Sequence, residues 1–109
     1  MLIREKDRQA LLGIFATANI PFEVWAYGSR VNGDAHDASN LNLVIRGQNL
    51  ERIPSPIFNA LYYSIKESTI PILVELQDWA LQPPYFHPNI ERKYEVLFDN
   101  RNVLDAAVS

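Results

Sequence analysis

Residues 22–45 read FEVWAYGSRVNGDAHDASNLNLVI, in which two strand-like segments flank a polar segment with two of the chain's four glycines. The first, Phe22–Tyr27, is aromatic and β-branched, which predicts a strand. Residues 41–45 alternate polar and apolar side chains and then become fully apolar, which is typical of a strand that enters a core. Residues 28–40 between them predict a loop or a short broken helix.

Polar side chains are placed where the two strand-like segments meet the glycine-containing segment. Asn40 and Asn42 are two residues apart, so on a strand their side chains project from one face, while the leucines beside them enter the core. Next to Gly28 they would form a small oxygen-rich cup. Glu75 is an isolated acid in a later apolar run, which faces either solvent or a site.

Apolar periodicity predicts the elements on either side. Residues 5–18 form a helix that stops before Pro21, and a second helix runs from Pro54 or Ser55, the predicted N-cap, to about Glu67. The remaining elements are a strand at residues 70–76, a short helix at 89–94, and a strand or helix end at 96–98. Helices interleaved with strands predict an α/β fold class.

Length and composition limit the class of protein. The 109 residues predict a single domain over residues 1–109, and 48% hydrophobic residues exclude disorder for most of the chain. No apolar run reaches the roughly 20 residues of a membrane helix, and the charged N-terminus does not resemble a secretory signal. The absence of cysteine excludes disulfides, thiolate zinc sites and cysteine nucleophiles. A cytoplasmic location is expected.

The charge distribution disfavours two classes of partner. Ten basic and thirteen acidic residues give a net charge of −3, and the longest basic cluster is Arg92-Lys93. Binding to duplex nucleic acid needs a basic stripe, so general nucleic-acid binding is not expected. The same balance argues against an anionic membrane surface.

The segment that opens at Gly28 resembles the signature of the minimal nucleotidyltransferase (MNT) family of the DNA polymerase β superfamily. That signature is Gly-Ser, ten residues, Asp-x-Asp, and a third carboxylate on a later strand. Here Gly28-Ser29 is followed by ten residues and then Asn40-Leu41-Asn42, and residues 74–79 (VELQDW) resemble the third-strand motif. The resemblance covers about residues 5–98 and implies the polymerase β-like α+β fold, a small mixed β-sheet flanked by helices.

The resemblance implies roles by position. Such enzymes transfer a nucleoside monophosphate from a nucleoside triphosphate, with ATP the first candidate, to an acceptor, and two Mg²⁺ ions held by acids clamp the reacting oxygens. The implied catalytic and metal positions are Asn40, Asn42 and Glu75. The implied nucleotide-binding positions are Gly28, Ser29, Arg30 and Gly33.

Both signature aspartates are asparagines in this chain. A carboxamide carries no charge and offers one acceptor atom. Loss of one well-placed electrostatic stabiliser costs roughly 10²–10³ in rate, so little or no transfer is expected, with Mg²⁺ as a cofactor of the Asp form only. A natural loss of the metal ligands and a deliberate Asp→Asn inactivation both fit the pattern. Asp34, His36 and Asp37 could replace ligands, although loop acids are more often solvated. Asp78 is another candidate ligand, but a cap or a solvent contact beside Trp79 is favoured for it.

Three functions are compatible with these residues. The first is enzymatic by descent: family members are often antitoxins that silence a helical HEPN-type partner, in some systems by transfer of AMP to a tyrosine. The second is a catalytically silent subunit that acts by docking onto such a partner. The third is a nucleotide-binding regulator without chemistry.

Overall fold

The computed structural model describes residues 1–33 and 39–102, and its centre is a four-stranded mixed sheet with the order β3-β2-β1-β4. Strand β1 is antiparallel to both of its neighbours, whereas β2 and β3 are parallel. The strands are β1 (Phe22–Tyr27), β2 (Leu41–Gly47), β3 (Val74–Asp78) and β4 (Tyr94–Asp99). The sequence-based prediction of a small mixed sheet flanked by helices is confirmed.

Within the described residues, four α-helices and three short 3-10 turns accompany the strands. The helices are α1 (Glu5–Phe15), α2 (Ser29–Asn32), α3 (Ser55–Lys66) and α4 (His87–Arg92), and the 3-10 turns are Gln48–Leu50, Trp79–Leu81 and Pro84–Phe86. Residues 28–40, predicted as a loop or a short broken helix, contain the short helix α2. None of the helices in the described ranges is both long and apolar enough to cross a bilayer.

The larger core lies on the sheet face that packs against α1 and α3, called the helix face. Because side chains alternate along a strand, every second residue of β1 and β2 contributes to it. The fully buried members from helix and sheet include Leu11, Phe15, Phe22, Leu41, Leu43, Ile45 and Leu61. This core packs one face of the sheet against the two long helices, and the opposite face takes no part in it.

The opposite face carries Tyr27 and Asn42 and is called the cleft face. Its smaller cluster consists of Trp25, Val44, Trp79 and Ile90, so α4 and one 3-10 turn cover only part of the sheet. The Arg46 guanidinium lies 3.8 Å from the centre of the Trp25 ring and 4.5 Å from that of Trp79, and it pairs with the buried Glu23. A cation between two aromatic faces is attracted by both rings.

Several element boundaries differ from the sequence-based prediction. Helix α1 ends at Phe15 instead of residue 18. Strand β2 continues to Gly47, because its last two residues still pair with the first two of β1. Strand β3 begins at Val74, not at residue 70: Val74 pairs with Leu41, the first residue of β2, so the preceding residues have no strand to pair with.

The interpretation of Ser55 as an N-cap is wrong. Pro54 occupies the cap position and Ser55 is the first helical residue, with its hydroxyl accepting a hydrogen bond of 3.0 Å from the guanidinium of Arg52. Residues 96–98, which the sequence left open between strand and helix end, belong to β4.

Candidate functional site

The turn after β1 is shaped by Gly28. Its φ of 91° and ψ of −159° lie in a region that L-residues with a side chain rarely adopt. The amide nitrogen of Asn42 lies 2.6 Å from the position that a Cβ on Gly28 would occupy, so a side chain here would also collide with β2. The Gly28 carbonyl accepts hydrogen bonds from the N–H groups of Val31 and Asn32, which starts α2.

Gly33 ends α2 with a left-handed conformation, φ 89°, and its N–H donates to the Ser29 carbonyl. Arg30 is 8% exposed and donates from Nε to the Ser39 carbonyl (2.9 Å) and from Nη1 to the Leu2 carbonyl (2.5 Å). Gly33 therefore ends α2, and Arg30 connects α2 to the segments that contain Leu2 and Ser39. A phosphate contact for Ser29, Arg30 or Gly33 stays a prediction.

The three implied metal positions lie side by side on the cleft face. Asn42 is opposite Tyr27 on β1 and opposite Glu75 on β3. The Asn40 amide nitrogen donates a hydrogen bond of 3.2 Å to Glu75 Oε1, which joins the segment before β2 to β3. The structure thus brings Asn40, Asn42 and Glu75 together next to Gly28.

Two open clefts meet at Asn42 and share Tyr27 and Phe86 as walls. The first, called the acidic cleft, has a volume of about 310 Å³ and contains Glu75. The second, called the basic cleft, has a volume of about 360 Å³ and lies between the Gly28 turn and α4. Its other described lining residues are Gly28, Asn32, Asn89, Arg92 and Lys93.

Tyr27 stands between the two clefts. Burial raises the pKa of its phenol, and the negative charge of Glu75 raises it further. The ring meets Phe86 edge to face, with 6.3 Å between ring centres. At neutral pH Tyr27 is therefore a neutral hydroxyl, able to donate a hydrogen bond to a ligand in either cleft.

The donor set on the cleft face does not fit a site for two Mg²⁺ ions. Mg²⁺ favours anionic oxygen ligands, whereas Asn40 and Asn42 are neutral and Glu75 supplies one negative charge. That carboxylate already accepts a hydrogen bond from the Asn40 amide. Within residues 1–33 and 39–102, no three His, Asp or Glu side chains come together in a group that could hold a metal ion.

The alternative ligands are placed as follows. Asp34, His36 and Asp37 lie outside the described residues. Asp78 is 3% exposed and accepts hydrogen bonds from the N–H groups of Ala80 (2.9 Å) and Ile53 (2.8 Å). Of the two roles predicted for Asp78, the structure shows the cap, at the start of the 3-10 turn Trp79–Leu81, and not the solvent contact, because the residue is buried.

Sequence reasoning missed the residues on the far wall of the basic cleft. Asn89, Arg92 and Lys93 come from α4 and the residue after it, about fifty positions beyond Asn42. Arg92-Lys93 is the only adjacent basic pair in the chain, which was a signal, but only the path of α4 across the sheet brings it near Gly28. Tyr27 could have been found from its position directly before Gly28.

Comparison with known proteins bears on both the fold and the family. No family model matches the sequence. A Haemophilus influenzae protein named "Probable protein adenylyltransferase MntA" is 32% identical over 84 residues, which are 77% of this chain and 72% of that protein.

The solved structure is of a Sulfolobus solfataricus protein classed as a nucleotidyltransferase. It matches with a TM-score of 0.53 at 12% identity and covers 85% of this chain and 77% of the other. At this identity the likeness concerns the fold, and it agrees with a polymerase β-like arrangement of the mixed sheet and its helices.

Proposed function

The chain belongs to the nucleotidyltransferase superfamily, and we propose that it is a minimal, MNT-type member with nucleotidyl transfer strongly reduced or lost, which acts as a binding subunit. Its expected partner is a helical HEPN-type toxin in the cytoplasm, onto which it docks as an antitoxin. The relative named MntA supports the MNT type, because its name describes a protein adenylyltransferase and AMP transfer is a reaction that the MNT resemblance implies.

One observation carries the loss of activity. The Asn40 amide donates to Glu75 Oε1 at 3.2 Å, so a neutral amide and a single carboxylate stand where the resemblance implies a cluster of acids. Each missing stabiliser of charge in the transition state costs roughly 10²–10³ in rate, and two are missing. Glu75 alone cannot balance the charge of two divalent ions.

The reaction proposed for the Asp form is adenylyl transfer to a protein hydroxyl. The acceptor oxygen attacks the α-phosphorus of ATP, the bond from that phosphorus to the bridging oxygen breaks, and pyrophosphate leaves with that electron pair. The acceptor loses its proton to a base or to solvent. We place the α-phosphate beside position 42. The position of this residue between Glu75 and the Gly28 turn supports that placement.

The test is restoration of both acids in the variant Asn40→Asp/Asn42→Asp. The unmodified chain and the variant are each incubated with Mg²⁺, ATP and the co-expressed HEPN-type partner, and the intact mass of the partner is measured. We expect the variant to add the mass of one AMP to the partner. The unmodified chain should add it at no more than about a hundredth of the variant's rate.

The control variant is Asn19→Asp/Asn59→Asp, which adds two charges at exposed positions outside both clefts and should stay inactive. Equal transfer by the unmodified chain and the restored variant would overturn the proposed loss of activity. Neutralisation of the partner by the unmodified chain, with no change in the partner's mass, is the result expected for docking; no neutralisation would contradict it.

A further inference from the structure

The basic cleft has an uncompensated positive wall. Arg92 and Lys93 are the only charged side chains among its described lining residues. Both are exposed, and within residues 1–33 and 39–102 neither side chain forms an ion pair or a hydrogen bond. Two cations held at one side of a cleft attract an anion more strongly than scattered surface charges do.

Both walls of the cleft supply hydrogen-bond groups without negative charge. Asn32, Asn42 and Asn89 line the cleft, and each carboxamide can donate two hydrogen bonds. Gly28 keeps a side chain out of the floor at the point where Asn42 packs against it. Phosphate oxygens accept hydrogen bonds from such donors and pair with both Arg and Lys.

Asparagine at position 42 makes the lining of this cleft more positive than an aspartate would. An aspartate there would face the same space as Arg92 and Lys93 and would repel a phosphate in the absence of metal ions. The amide removes that repulsion. The replacement that weakens the metal site therefore raises the formal charge of the cleft's described lining from +1 (+2 − 1 with an aspartate at position 42) to +2.

We propose that the basic cleft binds the phosphate chain of a nucleoside triphosphate, or pyrophosphate, without a divalent cation, with Arg92 and Lys93 in place of the metal charge. Its volume of about 360 Å³ lies within the range of small-ligand sites. This inference rests on the proposed function for the location of the site, and it names the ligand that the inactive domain retains.

The test is titration calorimetry with inorganic pyrophosphate in excess EDTA at low ionic strength. We expect the unmodified chain to bind pyrophosphate, ATP to compete for the site, and adenosine not to compete. In Arg92→Gln/Lys93→Gln the affinity should fall roughly 10- to 100-fold, because hydrogen bonds to charged groups contribute on that scale. The matched control Lys6→Gln/Lys66→Gln removes two exposed charges outside both clefts and should retain the affinity.

A third variant, Asn42→Asp, separates this inference from the proposed loss of activity. It should lose pyrophosphate binding in EDTA, while absence of AMP transfer by the unmodified chain is read independently by mass. No binding by the unmodified chain in EDTA, or equal affinity in the Arg92/Lys93 and Lys6/Lys66 variants, would overturn the inference and leave the proposed function standing. If the Arg92/Lys93 variant does not fold, the pyrophosphate affinity of the unmodified chain is measured at increasing salt concentrations. The inference requires that affinity to fall as salt is added, and an unchanged affinity would overturn it.

Discussion

Among single residues, three glycines distinguish two costs of adding a side chain: backbone strain at a positive φ and steric contact with a neighbour. Gly28 has both a φ of +91° and a close neighbour in Asn42. Gly33 has a φ of +89°, and no atom of the described residues lies within 4 Å of the position that a Cβ would occupy. Gly13 lies inside α1 without a positive φ, and its Cβ position is equally open among the described residues. The three positions therefore form an internal series for backbone strain and steric contact.

We expect Gly33→Ala to lower the free energy of unfolding by about 1–2 kcal/mol through backbone strain alone. Gly28→Ala should cost more, because the new Cβ also displaces the Asn42 side chain. Gly13→Ala should stabilise the chain by about 0.5–1 kcal/mol, since alanine is the better helix former. Urea unfolding measures all three, and equal losses at positions 28 and 33 would argue against the contact with Asn42.

The sequence was informative about positions and less so about the reach of long side chains. The two-residue spacing predicted that positions 40 and 42 share a face, and the family resemblance implied that position 75 lies beside them. The structure brings all three together. Arg30 follows the motif in sequence, yet its guanidinium donates to carbonyls of Leu2 and Ser39. A motif predicts the path of the backbone, whereas the hydrogen-bond partners of a long side chain depend on which acceptors lie within its reach.

Among the elements, α1 has an ion pair at its start that makes stability depend on pH. Arg4 donates from Nε and Nη2 to the two oxygens of Asp7, at 3.0 and 3.1 Å. Hydrogen bonding by Arg4 holds the pKa of Asp7 below its ordinary value. The folded state thus binds fewer protons than the unfolded state near pH 3.8, so the stabilisation is present above that pH and is lost as the pH falls through the lowered pKa.

In Arg4→Gln, the loss of stability between pH 6 and pH 3 should be smaller than in the unmodified chain, because Asp7 then titrates closer to its unfolded value. Urea midpoints at the two pH values measure it. Arg8→Gln is the matched control, since Arg8 pairs with the exposed Glu5 at 3.4 Å. An identical pH dependence in Arg4→Gln and the unmodified chain would contradict the assignment to Asp7.

Element types followed from the local pattern, while several ends depended on partners distant in sequence. The apolar run at residues 70–76 predicted a strand, but only the residues from Val74 onward face β2. The strand predicted at residues 41–45 continues to Gly47, which pairs with Phe22. Hydrophobic pattern reports burial, and pairing in a sheet is set by where the neighbouring strand begins and ends.

For the molecule as a whole, stability should depend mainly on the helix face. Leu43 is fully buried there, whereas Leu81 is 61% exposed. Leu43→Ala should lower the free energy of unfolding by about 2–5 kcal/mol, and Leu81→Ala should change it by less than about 0.5 kcal/mol. Denaturant unfolding compares the same chemical change at the two sites; similar losses would mean that the large core does not dominate.

This division explains why a change of function is compatible with an unchanged fold. The polar positions Asn40, Asn42 and Glu75 are outside the large core, so their charges can change without a change in its packing. The mixed sheet could be predicted from the resemblance, but the closeness of α4 to the Gly28 turn could not, because it depends on the irregular path of residues 79–87.

Both tryptophans of the chain, Trp25 and Trp79, belong to the small cluster of the cleft face, and their ring centres are 5.6 Å apart. Intrinsic fluorescence excited at the indoles is therefore an optical signal from one side of the sheet, whereas circular dichroism averages over all the helices. Comparison of the two melting curves reveals whether the thin layer beneath α4 loosens before the rest or in a single concerted transition.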